Sequence, residues 1–440
     1  MNPQEALALL PQWKHAVLVY TGSDGYPMSV ATSFQAGIDS VELAAVSAGP
    51  EEPPDGEAQL LFSSIRPYPG VGYDQRRYLE LTGTLTKGET WRFVPRKARG
   101  WDENTLPFPE LCERAVRQAN RYLAQLSAER GKRVTPEMSA GWKLFVATRA
   151  PFLTATLVPV ALGVCVAAYQ HHFNLGLVLL TLIGAIAVHL GLNVANDYFD
   201  ARSGADGQNM TPTMFSGGSR VIQYGLVSQR QMLMLSLAFY AIAIVCGLAL
   251  VALTGPGLLW LGVAGLFVSW FYTAPPLQLV HRGLGELAVA LGFGPIMVLG
   301  AYYVQTGHYA LLPGLLSIPV AILVMLILYA NEIPDRLADA LAGKRTLVVR
   351  LAPKQVVAAY AVAAGIAYAS LVAVVVAGIA PWPVLFALLT IPLAVQVVRG
   401  LARTYDRPYD IMPYLQSNVL LHLATGSLLS AGILAARLIP

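Results

Sequence analysis

Nine apolar stretches follow one another after residue 140, and each is close to the length of a membrane span. About 20 residues of helix cross the hydrocarbon core of a bilayer. The stretches cover residues 144–168, 174–198, 229–254, 257–273, 284–305, 311–333, 355–379, 382–402 and 411–436. We therefore predict that residues 141–440 form an all-α membrane domain of nine transmembrane helices in the lipid bilayer.

The first 140 residues have a different composition. They contain 17 of the 26 acidic residues of the chain and 15 of its 30 basic residues. Turn sequences such as SDG, AGID and KGE separate short runs that are typical of strands. These runs are HAVLVYTG, YPMSVATSFQ, SVELAAVS, AQLLFSS, RRYLELTGTLT and TWRFVP. A helix is predicted from about 107 to 127. Residues 1–140 are thus predicted to form a soluble, β-rich barrel domain with a linker helix.

Lys and Arg are distributed unevenly among the loops between the apolar stretches. The loops QHHFN, TGPG, QTGHYA and GIAPWP contain neither residue, whereas the intervening loops contain almost all the basic residues of the membrane half. Loops rich in Lys and Arg stay in the cytoplasm. We therefore predict a multi-pass protein of the cytoplasmic (inner) membrane, with a cytoplasmic N-terminal domain and an external C-terminus.

Three further features narrow the functional classes. The start of the chain lacks the basic segment and continuous apolar core of a signal peptide, so the N-terminal domain is expected to stay in the cytoplasm. The cysteines Cys112, Cys165 and Cys246 are scattered, which indicates neither a disulfide framework nor a metal site. The formal net charge of +4 gives no indication of nucleic-acid binding.

All nine acidic residues of the membrane half lie on the predicted cytoplasmic side, and two groups of them match. Their sequences are NVANDYFDARSG at 193–204 and NEIPDRLADALAG at 331–343. In each, an Asn is followed by an Asp four residues later, by a second Asp, and by a Gly four residues beyond. The residues are Asn193, Asp197, Asp200 and Gly204 in the first motif, and Asn331, Asp335, Asp339 and Gly343 in the second. Such spacings share one helix face, so two carboxylate clusters are predicted at equivalent helix ends.

Two facing carboxylate clusters at a membrane need a compensating cation. An ionisable group at membrane depth costs about 2.5–3.5 kcal/mol even on a lenient scale. Mg²⁺ with a diphosphate suits this arrangement, because the ion uses one or two carboxylates and completes its shell with phosphate oxygens and waters. The basic residues of the same cytoplasmic segments are candidates for binding the anion: Arg149, Arg220, Arg282, Lys344 and Arg345. Topology alone would also place most loop arginines there.

The membrane half resembles the UbiA superfamily of intramembrane aromatic prenyltransferases. The resemblance covers about 300 residues and includes both acidic motifs and the GGSRVI, YTAPP and RGLGE segments. It is most similar to the branch that prenylates 1,4-dihydroxy-2-naphthoate in menaquinone synthesis. Branches that act on 4-hydroxybenzoate, homogentisate, chlorophyllide or a glycerol phosphate ether are the alternatives. The partners implied are a prenyl diphosphate and an aromatic acceptor.

This resemblance implies roles for individual residues. Mg²⁺ would bind the diphosphate through five residues, namely Asn193, Asp197, Asp200, Asp335 and Asp339. Arg220, Lys344 and Arg345 would neutralise the diphosphate, with Arg149 and Arg282 as further candidates. The first motif departs from the family pattern, because Ala201 stands four residues after Asp197 and Asp200 and Asp206 would have to serve instead. Loss of diphosphate would leave an allylic cation for the aromatic ring to attack, followed by decarboxylation of a hydroxynaphthoate.

The N-terminal domain is similar to the pyridoxamine 5′-phosphate oxidase-like split barrels that bind FMN. The similarity is carried by SDGYPMSVATSF, LLFSSIRPYPGVG, and DQRRYLELTGTLT followed by WRFVP. It implies that basic and hydroxyl side chains hold the FMN phosphate, with Ser29, Arg66, Arg76 and Arg77 as candidates. The alternative is a barrel without a cofactor that acts as a docking or regulatory module.

Two functions of other classes are alternatives to prenyl transfer. A transporter or channel would also place carboxylates in helices, but near the bilayer midplane, whereas these acids lie at one face. A flavin-linked sensor with an inactive membrane half would be expected to have lost an acidic motif, and both motifs are intact.

Cysteine labelling of intact cells tests the predicted orientation. A His172→Cys variant that also carries Cys112→Ser should react with a membrane-impermeant maleimide, because QHHFN is predicted to be external. Cys112 of the wild-type chain should react only after permeabilisation. If Cys112 is labelled in intact cells and His172→Cys is not, the orientation of the protein is the opposite of the predicted one.

Overall fold

The computed structural model describes residues 1–44, 52–68 and 72–438. The chain divides into two compact units, Met1–Cys112 and Glu113–Pro440. This division falls earlier than the domain boundary predicted at residue 140. From Glu113 onward the linker helix belongs to the second unit. Within that unit, Glu113 forms an ion pair with Arg220, and Asn120 Nδ2 donates a 2.9 Å hydrogen bond to the carbonyl oxygen of Gln223.

The first unit is a closed β-barrel preceded by a short helix, α1 (Pro3–Leu9). Its strands are β1 (Ala16–Thr21), β2 (Pro27–Ala36), β3 (Val41–Ala44), β4 (Gly56–Tyr68), β5 (Gly72–Lys87) and β6 (Trp91–Asp102). Neighbouring strands pair around the barrel in the order β1-β2-β3-β6-β5-β4. The predicted β-rich domain is confirmed, whereas its membership of the split-barrel family stays a prediction. Residues 45–47 of SVELAAVS and 69–71 of LLFSSIRPYPGVG lie outside the described residues.

Apolar side chains, which alternate with polar ones along the strands, fill the barrel interior. In β1, the side chains of Ala16, Leu18 and Tyr20 are buried, as period-two alternation requires. Leu60 of β4 lies opposite Leu81 of β5 in the antiparallel register, and both are fully buried. This core is apolar, so the barrel derives its stability from burial of aliphatic and aromatic side chains.

The second unit is helical. After α2 (Phe108–Glu129), its helices are α3 (Ala140–Ala147), α4 (Thr154–Tyr169), α5 (Leu175–Ser203), α6 (Ala205–Gln208), α7 (Gln229–Thr254), α8 (Gly257–Phe271), α9 (Gly285–Leu291), α10 (Met297–Thr306), α11 (Leu311–Leu341), α12 (Leu347–Arg350), α13 (Pro353–Val376), α14 (Ile391–Thr404) and α15 (Met412–Ala435). A π-helical turn over Gly292–Ile296 joins α9 to α10, and a 3₁₀ segment over Trp382–Thr390 leads into α14.

Each of the nine predicted spans corresponds to helix, but the count of nine is not confirmed. Among the described residues, eight helical segments are long and apolar enough to cross a membrane. The remaining helix, α8, has 15 residues and therefore a length of about 22 Å, compared with about 30 Å of hydrocarbon. Prolines lie on both sides of it: Pro256 precedes its first residue, and Pro275 lies four residues beyond its last residue, Phe271.

The two longest helices position the acidic motifs. Helix α5 has 29 residues and ends at Gly204, which adopts the left-handed conformation with a φ of 83° that favours glycine. Helix α11 has 31 residues and ends at Leu341, after Asp339 and two residues before Gly343 of the second motif. The Asn and Asp residues of both motifs therefore lie in about the last three turns of a long apolar helix, as the repeat predicted.

Truncation of a barrel leucine tests whether the barrel core carries the stability of the first unit. Leu81→Ala should lower the free energy of unfolding of the barrel by about 2–5 kcal/mol, because it leaves a cavity in a packed core. Ile38→Ala is the matched control, since Ile38 is 94% exposed whereas Leu81 is fully buried. Urea-dependent proteolysis of the full chain measures both variants, and equal effects would contradict this account of the barrel.

Candidate active site

A polar cavity of about 170 Å³ lies where the two acidic motifs meet. Most of its wall comes from α5, α11 and the loops that follow them, and residues before and within α4 and around α9 complete it. Six of the ten membrane-domain residues predicted for the site line it: Arg149, Asn193, Asp200, Asp335, Asp339 and Lys344. The structure thus brings the two motifs, which are more than 130 residues apart in sequence, to one cavity.

The carboxylates of the first motif are buried and paired with cations. Asp197 forms a 2.5 Å ion pair with Arg149 and accepts a hydrogen bond of 3.1 Å from the backbone N–H of Ser219. Asp200 accepts a 2.8 Å hydrogen bond from Lys344 Nζ through Oδ2, while its buried Oδ1 has no partner among the described residues. Asn193 donates from Nδ2 to the carbonyl oxygen of Thr148 at 2.9 Å.

The second motif is held by a loop and by the same lysine. Asp335 accepts hydrogen bonds from Asn209 Nδ2 at 2.7 Å and from the backbone N–H of Gly217 at 2.8 Å. Lys344 Nζ lies 3.5 Å from a carboxylate oxygen of Asp339. Lys344 therefore bridges the two acidic motifs.

The pKa values of Lys344 and Asp206 are both raised, but for different reasons. Burial alone would lower the pKa of Lys344, but the carboxylates of Asp200 and Asp339 outweigh burial and raise it. Burial raises the pKa of Asp206 well above its ordinary value, and the charges of Asp200 and Asp197 raise it further. The cavity is thus a place where negative charge exceeds positive charge, and an additional cation would relieve the imbalance.

The side-chain oxygens at this cavity fit a Mg²⁺ ion that also binds a phosphate. They do not fit an ion that is held by protein side chains alone. Among the residues that the structure describes, no three Asp, Glu, His or Cys side chains converge closely enough to hold an ion by themselves. Mg²⁺ commonly takes one or two carboxylates and completes its shell with phosphate oxygens and water. Asp200 Oδ1 is a carboxylate oxygen of this kind. It is buried at the cavity wall and has no hydrogen-bond partner among the described residues.

Three predicted anion-binding residues do not line the cavity. Arg282 is exposed and donates to the carbonyl oxygen of Pro276 at 3.0 Å. The side chain of Arg345 is also exposed. Arg220 is buried, but its guanidinium is ion-paired with Glu113 instead of facing the cavity. Within the described parts of the chain, the cations at the cavity wall are Arg149 and Lys344.

Sequence reasoning missed residues in the loop after the first motif. Asn209 binds Asp335, and the segment 216–218 lines the cavity. Gly218 adopts a φ of 76°, and a Cβ atom there would lie 2.9 Å from an oxygen of Asp206. Asn209 lies within ADGQNM directly after the first motif, and this proximity was the available signal. Glu332, inside the second motif, also lines the cavity.

An apolar cavity of about 410 Å³ adjoins the polar one. It lies between α5, α7, α8 and the α9–α10 segment, and it shares His189, Leu192, Tyr272, Val289 and Phe293 with the polar cavity. A ligand with a charged head and a hydrocarbon tail would match the two cavities together.

Two of the barrel residues predicted to bind FMN have other contacts. Arg76 forms a 2.5 Å ion pair with Glu103 and stacks over Phe108, and Arg77 Nη1 donates to Gln12 Oε1 at 3.2 Å. Ser29 is exposed on β2, and Arg66 lies on β4. A flavin phosphate would have to displace Glu103 from Arg76. The described residues therefore give no support to an FMN site, which stays a prediction.

Residues 156–419 match the family model described as the UbiA prenyltransferase family. The chain belongs to this family. It is 30% identical over 311 residues to a 1,4-dihydroxy-2-naphthoate octaprenyltransferase of Bacillus subtilis (strain 168), a match that covers 70% of this chain and 98% of the relative. It is also 30% identical over 307 residues to a 2-carboxy-1,4-naphthoquinone phytyltransferase of Synechocystis sp., covering 66% of this chain and 92% of that protein.

Among solved structures, a UbiA homolog from Aeropyrum pernix K1 is similar with a TM-score of 0.47 and 20% identity, covering 64% of this chain and 98% of the other. The family resemblance inferred from the motifs is confirmed by the family match. This UbiA protein is therefore a multi-pass membrane prenyltransferase, and the transporter and sensor alternatives have no support.

A pair of glycine substitutions tests whether the loop at 216–218 belongs to the site. Gly218→Ala and Gly378→Ala both place alanine at a positive φ, which should cost about 1–2 kcal/mol of stability each. Only at Gly218 would the added Cβ meet a carboxylate, whereas nothing lies within 4 Å at Gly378. Prenyl transfer should therefore fall in Gly218→Ala and not in Gly378→Ala. If the two variants have similar thermal midpoints and equal rates of prenyl transfer, the loop is not part of the site.

Proposed function

We propose that this enzyme transfers a prenyl chain from a prenyl diphosphate to 1,4-dihydroxy-2-naphthoate, with decarboxylation, in menaquinone synthesis. The observation that carries the proposal is the pair of adjoining cavities: a polar one walled by both acidic motifs and an apolar one of about 410 Å³. A prenyl diphosphate has the same division between a charged head and an apolar chain.

The polar cavity would hold the diphosphate. Mg²⁺ would be held by the oxygens of Asp197, Asp200, Asp335 and Asp339, with Asn193, and when bound it would neutralise the charge that develops on the departing diphosphate. Lys344 and Arg149 lie at the cavity wall and supply positive charge to the same anion. Arg282 and Arg345, which are exposed, would act on the incoming anion by long-range attraction.

The apolar cavity would hold the prenyl chain and keep water from the allylic cation. Its described wall is almost entirely aliphatic and aromatic. In the reaction, the bond between the allylic carbon and the diphosphate oxygen breaks, and a bond forms between that carbon and the ring carbon that bears the carboxylate. Carbon dioxide then leaves, and its bonding electrons return to the ring. Exclusion of water protects the cation from hydrolysis.

The acceptor assignment rests on the relatives. The Bacillus subtilis protein is named for a dihydroxynaphthoate acceptor and the Synechocystis protein for a carboxynaphthoquinone, while their prenyl donors differ. We therefore infer the aromatic ring of the acceptor, but not the length of the prenyl chain. With loops rich in Lys and Arg in the cytoplasm, the reaction takes place at the cytoplasmic face of the inner membrane.

Product analysis tests the acceptor directly. Purified enzyme with Mg²⁺ and a prenyl diphosphate should convert 1,4-dihydroxy-2-naphthoate into a decarboxylated, prenylated naphthoquinol detectable by mass spectrometry. Chelation by EDTA should abolish product, and added Mg²⁺ should restore it. Turnover only with 4-hydroxybenzoate, homogentisate, chlorophyllide or a glycerol phosphate ether would reject the naphthoate assignment while keeping prenyl transfer.

Neutralising either acidic motif should stop the reaction. Asp200→Asn and Asp335→Asn should each lower kcat by about 100-fold or more, because each removes charge that holds the diphosphate complex. Asp410→Asn is the control, since Asp410 is an exposed acidic residue paired with Arg407 at 3.6 Å and away from the cavity. Steady-state rates at saturating Mg²⁺ measure all three, and full activity in both motif variants would reject the proposed role of the motifs.

A further inference from the structure

Arg220 occupies a position at which the family resemblance implies a diphosphate ligand, but its contacts point elsewhere. Its side chain is buried and is not among the described residues that line the polar cavity. One guanidinium nitrogen donates to the carbonyl oxygen of Asp206 and another to the carboxylate of Glu113. The backbone of Arg220 has a φ of 62°, in the left-handed region that a non-glycine residue rarely adopts. Such a conformation persists only where surrounding contacts hold it.

Glu113 supplies the charged one of these contacts. It lies on α2 and is 5% exposed, although a glutamate on a linker helix would ordinarily face water. One carboxylate oxygen accepts from Arg220 and the other from the hydroxyl of Tyr224. Two helical turns further along α2, Asn120 donates to the carbonyl oxygen of Gln223. Two residues on one face of α2, Glu113 and Asn120, thus hold the segment 220–224.

The segment just before Arg220 connects the two acidic motifs. The backbone N–H of Gly217 donates to Asp335 of the second motif, and the backbone N–H of Ser219 donates to Asp197 of the first. These amides are two residues apart, so a small shift of the chain would disturb both carboxylates. Arg220 follows directly and anchors this segment to Glu113 and to the Asp206 carbonyl.

We propose that Glu113 is a positioning residue for the reaction. Through Arg220, it sets the place of the Gly217 and Ser219 amides and thereby the orientation of Asp335 and Asp197. Arg220 is then an anchor of the loop rather than a ligand of the diphosphate. This inference rests on the proposed function, because it assigns the held carboxylates to Mg²⁺ and diphosphate binding.

Charge explains why the pair matters. A buried cation that loses its partner is left uncompensated, which is much more costly than an exposed charge. Without Glu113, the acidic residues that contact Arg220 or the adjacent Ser219 belong to the site itself. Arg220 donates to the carbonyl oxygen of Asp206, and the backbone N–H of Ser219 donates to the carboxylate of Asp197. Redirection of Arg220 toward them would displace the loop amides and would compete with a bound cation.

Glu113→Gln tests the proposal in the full-length enzyme, with Glu129→Gln as the matched control. Both residues lie on α2, but Glu129 is exposed. The probe is farnesyl thiodiphosphate, an unreactive prenyl diphosphate analogue, titrated at fixed Mg²⁺ without acceptor. Glu113→Gln should weaken binding about 10- to 100-fold and raise the Mg²⁺ concentration needed for half-saturation, as loss of an outer-shell partner does. Glu129→Gln should match the wild-type enzyme, and the KM for the aromatic acceptor should stay the same in both.

A double-mutant cycle separates positioning from a general loss of structure. In an Arg220→Met background, Glu113→Gln should add less than a twofold further effect, because Glu113 acts through Arg220. If Glu113→Gln proves unstable, Glu113→Asp keeps the charge on a shorter side chain and should show a smaller weakening of the same kind.

Three results would overturn the inference. Wild-type affinity for the analogue and for Mg²⁺ in folded Glu113→Gln is the first, and fully additive effects in the cycle are the second. The third is an equal weakening in Glu129→Gln. Failure of the wild-type enzyme itself to bind the analogue would instead overturn the proposed function, and this inference with it.

Discussion

Compensation of the carboxylates at one end of the helical bundle is the interaction on which the site depends. Asp197 and Asp200 are buried, Asp335 and Asp339 are partly buried, and the lysine and arginine at the cavity wall balance only part of that charge. Lys344 contacts carboxylates of both motifs, so it links the ends of α5 and α11. A fold that concentrates acids in this way is stable because cations and loop amides share the charge, and the same excess prepares the cavity for a divalent cation with its anion.

The apolar half of the site follows from the same helices. Before the first motif, α5 carries small and aliphatic residues, and these form one wall of the apolar cavity. The short helix α8 and the π-helical turn at Gly292–Ile296 lie on the other side, where close-packed straight helices would leave less room. Polar and apolar cavities therefore meet along one pair of helices, which gives an amphipathic substrate a single direction in which to bind.

Local sequence predicted much of this, and long-range pairing accounts for most of the rest. The ends of α5 and α11 and the facing of their motifs follow from helical spacing, and β1 follows from alternation along HAVLVYTG. The span at α8 was predicted to run to residue 273, whereas the helix ends at Phe271, because apolar composition does not mark where a helix ends. The pairing of Arg220 with Glu113 joins residues 107 positions apart, and no local pattern marks it. Charge in the loops predicted that Arg220, Arg282 and Arg345 lie near the motifs, but it could not tell which guanidinium faces the cavity.

Phosphorus coupling to a bound metal ion is the most direct measurement of the central claim, that the two acidic motifs hold a divalent cation together with the substrate diphosphate. Mn²⁺ can replace Mg²⁺ as a paramagnetic probe in the same oxygen coordination. Electron–nuclear double resonance of the enzyme with Mn²⁺ and farnesyl thiodiphosphate should show ³¹P coupling to the ion, and this coupling should be lost in Asp200→Asn. Protein-bound Mn²⁺ without ³¹P coupling, or coupling unchanged in that variant, would contradict the account.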